Sequence, residues 1–251
     1  MNLDLPPKQR WTHIAQKYGK NATIPLNYIK KLTGPGAPLH GIVQDLLTAV
    51  LSNGAWSQDN LDEMAGIAAT VDPIIPGGVT VQEIQAANLF YELTTFCTSI
   101  VAQHANGTIL HSRNQDYSPP GLSDIVMDVE FHKGGKPLYV GTTFAGYIGL
   151  PTAHRFGGWS VSADSRFDDP LAGIFKNIAS AKKGGQSVGM FLRDLAATKA
   201  TFDDVLPAFN ATRLIAPAYF VVAGANPGEG AVVTRNRTHA VDDHGGTAQG
   251  I

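Results

Sequence analysis

The sequence predicts an α+β layered domain with a helical segment at its N-terminus. Three observations carry this. Up to about residue 96 the apolar residues mostly recur at helical spacing, and residues 97 to 163 read as short strands with a hairpin turn. The rest returns to helices and then to a final hairpin. With 251 residues and 43% hydrophobic content, the chain can fill one sizeable core, or one core with a smaller lobe.

Residues 1–35 are polar and Pro-bearing, and end in Thr33-Gly34-Pro35-Gly36. From Leu39 to Leu51, Ile42, Val43, Leu46, Leu47, Val50 and Leu51 follow the helical period. Asp59 to Val71 reads as a second helix, and Pro73-Ile74-Ile75-Pro76-Gly77-Gly78 breaks the chain after it. Thr80-Val81-Gln82-Glu83 has the form of a capping box, which opens a helix through about Leu93. Strands are predicted at Thr98–Gln103, Thr108–His111, Ile125–His132, Pro137–Thr143 and Trp159–Ala163, with His132-Lys133-Gly134-Gly135-Lys136-Pro137 turning between the third and fourth. Helices follow at Leu171–Ala181, Val188–Ala197 and Thr201–Phe209. Pro217–Ala223 and Gly230–Arg235 form the last hairpin, across Asn226-Pro227-Gly228-Glu229. The tail after Arg237 is polar and Gly-rich and does not read as a closing element of the core.

The charges nearly balance, 19 basic against 21 acidic residues, so nothing points to nucleic-acid binding. One cysteine excludes an intrachain disulfide and a Cys-based zinc site. Asn21, Asn106, Asn210 and Asn236 open Asn-x-Ser/Thr triplets and lean toward a secretory-route glycoprotein. Met1-Asn2-Leu3-Asp4 has neither the basic start nor the apolar run of a signal peptide, and no stretch has the ~18 apolar residues of a membrane span.

The one cysteine, Cys97, stands where a helical pattern gives way to a strand. A lone cysteine is usually a small buried hydrophobe. Here the segment His111-Ser112-Arg113-Asn114-Gln115-Asp116-Tyr117 follows on what reads as the paired strand, and a hairpin returning to its start brings Arg113 and Asp116 beside Cys97. Arg113 can then favour the thiolate, and Asp116 can orient an amine or accept a proton. A solvated turn holding a surface ion pair accounts for the same two residues. His104 and His111 read as ordinary surface or strand residues.

The stretch "FYELTTFCTSIVAQHANGTILHSRNQDY" resembles the self-cleavage segment of acid ceramidase and N-acylethanolamine-hydrolysing acid amidase, in the cholylglycine-hydrolase group of N-terminal nucleophile hydrolases. "NLDLPPKQRW", "GTTFAGYIGL" and "LIAPAYFVVAGANPGEGAVVTRNR" resemble further family motifs in the same order. The resemblance implies an αββα sandwich, with no cofactor and no metal. It also implies a self-made cut between Phe96 and Cys97, leaving a helical piece 1–96 bound to a core piece 97–251. Cys97 would then be the nucleophile and its freed α-amine the base, since an α-amine titrates near ~7.7–8.0. Asp116 would hold that amine, and Arg113 would support the thiol and the polar groups of the substrate. The implied reaction is hydrolysis of lipid amides, N-acylethanolamines first and ceramide second, in a lysosomal or secreted setting. Ile42, Leu46, Leu47, Val50 and Leu51 could contribute a membrane-surface contact, although a stripe of this spacing usually packs on the core.

Two departures accompany the resemblance. Ser165 stands where the family has a glutamate, and Asp164 beside it is expected to point to the opposite face of its strand. The family's later Asn-Tyr-Asp segment, with its oxyanion-hole asparagine, has no counterpart before Ile251, and Asn226 reads as a turn residue instead. The chain is therefore expected to be a C-terminally shortened member. The alternative reading is an uncut, inactive homologue that at most binds lipid or a partner.

Overall fold

The computed structural model describes residues 1–89, 92, 97–116, 119–166, 170–241 and 249–250. The polar, Pro-bearing N-terminal stretch is already helical, in α1 (Pro7–Arg10), α2 (Thr12–Tyr18) and α3 (Thr23–Thr33). These helices bury only part of one side, so their apolar stripe is sparse. The predicted helices follow as α4 (His40–Ser52), α5 (Gln58–Val71) and α6 (Val81–Asn88). The Thr80–Glu83 capping box forms as expected, with Thr80 N donating to Glu83 Oε2 at 2.7 Å and Glu83 N to Thr80 Oγ1 at 3.2 Å. The helix ends at Asn88; Leu93, where the sequence suggested an end, lies outside the described residues.

Strands β1 (Cys97–Gln103) and β2 (Ile109–Gln115) form an antiparallel pair. Strands β3 (Val126–Lys133), β4 (Lys136–Phe144), β5 (Thr152–Arg155), β6 (Trp159–Ser165), β7 (Ala218–Gly224), β8 (Gly230–Arg235) and β9 (Gln249–Gly250) form a seven-stranded antiparallel sheet in chain order. Gly134 and Gly135 turn β3 into β4 with φ of 59° and 72°, the left-handed pair that a two-residue hairpin needs. β5 was not predicted, because four residues are too few to show an alternation. β9 places the end of the tail at the sheet edge, where Gln249 pairs with Val232.

Helices α7 (Pro170–Ala181) and α8 (Val188–Thr198) match the prediction, whereas Thr201–Phe209 divides into α9 (Phe202–Val205) and α10 (Ala208–Ala211) around Pro207. α8 packs on β4, β5 and β6, and the β1–β2 pair lies against β6, β7 and β8. On β6 the apolar Trp159, Val161 and Ala163 are buried, and Trp159 Nε1 donates to Lys199 O just past α8, while Ser160, Ser162 and Asp164 point to the hairpin. The layers therefore run helices, long sheet, short sheet: an α+β sandwich.

One buried knot ties the N-terminal helices to α8. Glu63 on α5 accepts from Arg193 Nη1 and Nη2 at 2.6 and 2.8 Å, from Trp11 Nε1 at 2.7 Å, and from Arg10 Nη1 at 3.0 Å. Gly66 lets α1 approach α5, since a Cβ there would meet Lys8 O at 2.0 Å. The proposed lipid-contacting stripe is largely part of this interior. Leu46, Leu47 and Val50 are buried and Ile42 packs against the core; of the five only Leu51 is exposed, because a stripe at helical spacing is what a core-facing helix requires.

Candidate active site

Cys97 is the first residue of β1, and its register partner is Gln115. Alternation puts Cys97, Ser99 and Val101 on the face toward the long sheet, together with His111, Arg113 and Gln115 of β2. Arg113 opposes Ser99, one step diagonal from Cys97, and its Nη2 donates to Cys97 Sγ at 3.0 Å. The same guanidinium donates to Ala163 O at 3.0 Å and to Thr152 Oγ1. The hairpin thus brings Arg113 to the thiol, as the spacing suggested.

Asp116 is placed differently. It is exposed just past β2, where Oδ2 accepts from Thr98 Oγ1 at 3.4 Å and Oδ1 from Asn114 Nδ2 at 2.5 Å. It stands beside the residue after Cys97 rather than at the thiol. Phe96 lies outside the described residues.

The carboxylate at the thiol face is Asp164. Its Oδ1 lies 3.9 Å from Arg113 Nε and accepts from Ser99 Oγ at 2.7 Å. Asp164 and Ser165 do point to opposite faces, but the face that meets Cys97 belongs to Asp164, which corrects the expectation. The β6 register explains why: Ser160, Ser162 and Asp164 alternate with the residues under α8. His111 is a strand residue, as expected, and lies on β2. It sits half-buried between the layers, bonded at Nδ1 to Ser160 Oγ at 2.8 Å and at Nε2 to Ser162 Oγ at 2.9 Å.

These contacts have one consistent direction. Ser99 donates to Asp164, and Ser162 donates to Ser99 at 2.7 Å. His111 Nε2 therefore donates to Ser162, and Nδ1 accepts from Ser160. Burial, then the nearby Arg113 and His154, push His111 down to about 4, which favours the neutral ring in this arrangement. Burial pushes the Cys97 thiol up, and Arg113 opposes that without overcoming it, so the net shift is opposite to the expected one. Asp164 and Asp116 add to the rise. Burial also raises Asp164, with Ser99 and Arg113 pulling the other way. Burial thus favours the protonated thiol, which Arg113 Nη2 contacts.

Ser99, Thr152 and Asp164 had not been singled out as site residues. The signal for Ser99 was present, because Cys97-Thr98-Ser99 alternates. Thr152 lay on an unpredicted strand. Of the glycosylation candidates, Asn21, Asn106 and Asn210 are exposed; Asn236 is half-buried, its Oδ1 accepting from the Thr238 and His239 amides at 2.7 and 2.8 Å. Among the described residues, no cluster of His, Cys, Asp or Glu has the form of a metal site.

Known proteins resemble this chain. Residues 1–54 match the family described as the beta subunit of N-acylethanolamine-hydrolyzing acid amidase. Acid ceramidase of Bos taurus is 31% identical over 261 aligned residues, which cover 96% of this chain and 64% of that protein. The Homo sapiens protein is 30% identical with the same coverage. The chain thus spans a little under two thirds of the length of these relatives. A solved structure, the Caenorhabditis elegans N-acylethanolamine-hydrolyzing acid amidase ortholog, superposes with a TM-score of 0.54 and 33% identity, over 61% of this chain and 63% of that one.

Proposed function

We propose, from its similarity to acid ceramidases and to an N-acylethanolamine-hydrolyzing acid amidase ortholog, that this chain is a member of their family and a cysteine amidohydrolase of lipid amides. Its substrates are N-acylethanolamines first and ceramide second. Its setting is an acidic one, lysosomal or secreted. The observation that carries the reading is the 3.0 Å contact of Arg113 Nη2 with Cys97 Sγ at the first residue of a strand.

The first step is self-cleavage. The Cys97 thiol adds to the carbonyl carbon of Phe96, the peptide C–N bond breaks, and the nitrogen leaves as the α-amine of Cys97. Water then splits the resulting thioester. The products are a piece 1–96 and a piece 97–251, held together by the Glu63–Arg193 knot among other contacts. The freed amine takes the thiol proton, which the buried thiol does not shed readily by itself. Sγ attacks the amide carbon of the substrate, the C–N bond breaks as the amine half takes the proton, and water releases the fatty acid from Cys97. Arg113 fixes the sulfur and offers charge to the oxygen that develops. Asp116, next to Thr98, is the group that holds the new amine.

The test is purified protein incubated at acid pH with an N-acylethanolamine. Release of fatty acid by the wild type and none by Cys97→Ala supports the reading. Wild-type protein as inert as Cys97→Ala rejects it, and leaves an uncut homologue that binds lipid or a partner.

A further inference from the structure

Gln115 ends β2 on the face that carries Arg113 and His111, and it is the register partner of Cys97. The residue is half-buried, yet its Nε2 is fully enclosed and meets no hydrogen-bond partner among the described residues. It makes no bond to the thiol, which Arg113 Nη2 meets at 3.0 Å. An enclosed amide donor left unsatisfied destabilises a fold, and native chains keep few of them. A leucine or methionine of similar size would fill the same place without that cost.

The position of this donor gives it a use. Directly opposed residues of an antiparallel pair have Cβ atoms about 4.5–5.5 Å apart, so a carboxamide two carbons further out spans the gap to an oxygen beside Sγ. Gln115 and Arg113 also line one cavity, of about 310 Å³. Two residues apart on one strand, they stand about 7 Å from each other and face the same way. No bond anchors Nε2, and the terminal torsion of a glutamine is broad, so turning the donor into the cavity breaks nothing.

We propose that Gln115 is a catalytic residue whose Nε2 donates to the oxygen of the carbonyl that Cys97 attacks. This rests on the amidohydrolase reading above, and adds a neutral donor to the charged one of Arg113. As Sγ bonds to the carbonyl carbon, the C=O electron pair moves onto oxygen. Gln115 and Arg113 hold that charge until the C–N bond breaks and the pair returns. The donor is unpaired in the resting chain because its partner forms only during the reaction. Such a group costs stability at rest and acts where the bond is stronger in the transition state than before it. The same donor serves the Phe96 carbonyl in self-cleavage, since both reactions develop their charge beside Cys97.

The test takes Gln115→Leu and Gln115→Met, two variants so that one can fail to fold, with an N-acylethanolamine as substrate. Three readouts are needed: kcat and KM, thermal melts, and the rate of Cys97 alkylation by iodoacetamide against pH. Each variant is expected to lose about 10²-fold in kcat, the worth of one oxyanion donor, with KM little changed. Each is expected to melt at or above the wild-type temperature, because an unpaired buried donor is gone. The alkylation profile is expected to stay as in wild type, because Nε2 does not touch the sulfur. Folded variants that keep the wild-type kcat overturn this inference alone. So does a loss of kcat that comes with lower melting and a shifted alkylation profile, the mark of a structural role. A wild type that hydrolyses no amide overturns the amidohydrolase reading and this inference with it.

Discussion

Asp164 Oδ1 lies 3.9 Å from Arg113 Nε, and the same guanidinium donates through Nη2 to the thiol of Cys97. A carboxylate on the long sheet thus sets the cation that sets the sulfur. Asp164→Asn is expected to lower turnover about tenfold or more, since a contact to a charged group is removed. It should also speed alkylation of Cys97, because the negative charge that raises the thiol is gone. Ser165→Ala, on the other face, should stay within about twofold. Iodoacetamide rates against pH, beside turnover, separate the two effects; a merely structural role for Asp164 moves turnover without the alkylation profile.

Arg113→Met acts in the opposite direction on the thiol. Burial already raises Cys97, and Arg113 is what opposes it. Its loss moves the alkylation profile to higher pH and slows both self-cleavage and turnover. An unchanged profile in a folded variant contradicts the assigned contact.

Much of this site could be read from sequence, and the remainder could not for definite reasons. The Cys97–Arg113 approach follows from hairpin length, and the strand positions follow from alternation. Which face of β6 meets the hairpin does not: parity shows that Asp164 and Ser165 diverge, but only the sheet packing tells which of them turns toward Cys97. His111 looked ordinary because a strand histidine gives no local sign of the two serines waiting across the interlayer gap. Leu46 and Val50 looked available to lipid because core and surface stripes share one period.

Glu92, which is buried, and His111, which is half-buried, set opposite pH dependences of stability. Burial pushes Glu92 up to about 8, with Val188 N donating to Oε1 at 3.0 Å. Its folded form binds the proton more tightly than the unfolded chain, so its contribution is full below the ordinary carboxyl range and is lost as pH rises toward about 8. His111 is pushed down to about 4, so its contribution is full above the ordinary histidine value of 6.5 and is lost as pH falls toward about 4. Urea midpoints across pH should show Glu92→Gln stabilised at neutral pH relative to wild type, and His111→Gln with a weaker loss on the acid side.

The Glu63 knot is a stability determinant. Burial alone would raise its carboxyl, but Arg193, Trp11 and Arg10 outweigh that and leave it below the usual range. Arg193→Met leaves Glu63 with only Trp11 and Arg10, and should cost about 3–5 kcal/mol, as breaking one side of a buried pair does. Adding Glu63→Met should recover part of that loss. Denaturant unfolding of the single and double variants measures the coupling.

The central claim is that Cys97 becomes an N-terminal nucleophile by its own chemistry. Intact-mass spectrometry of purified protein before and after acid incubation, with N-terminal sequencing of the products, tests it most directly. The expected result is conversion of the single chain into pieces 1–96 and 97–251, the second beginning with cysteine, in wild type and not in Cys97→Ala. A wild-type chain that stays whole, or a cut at another bond, contradicts it.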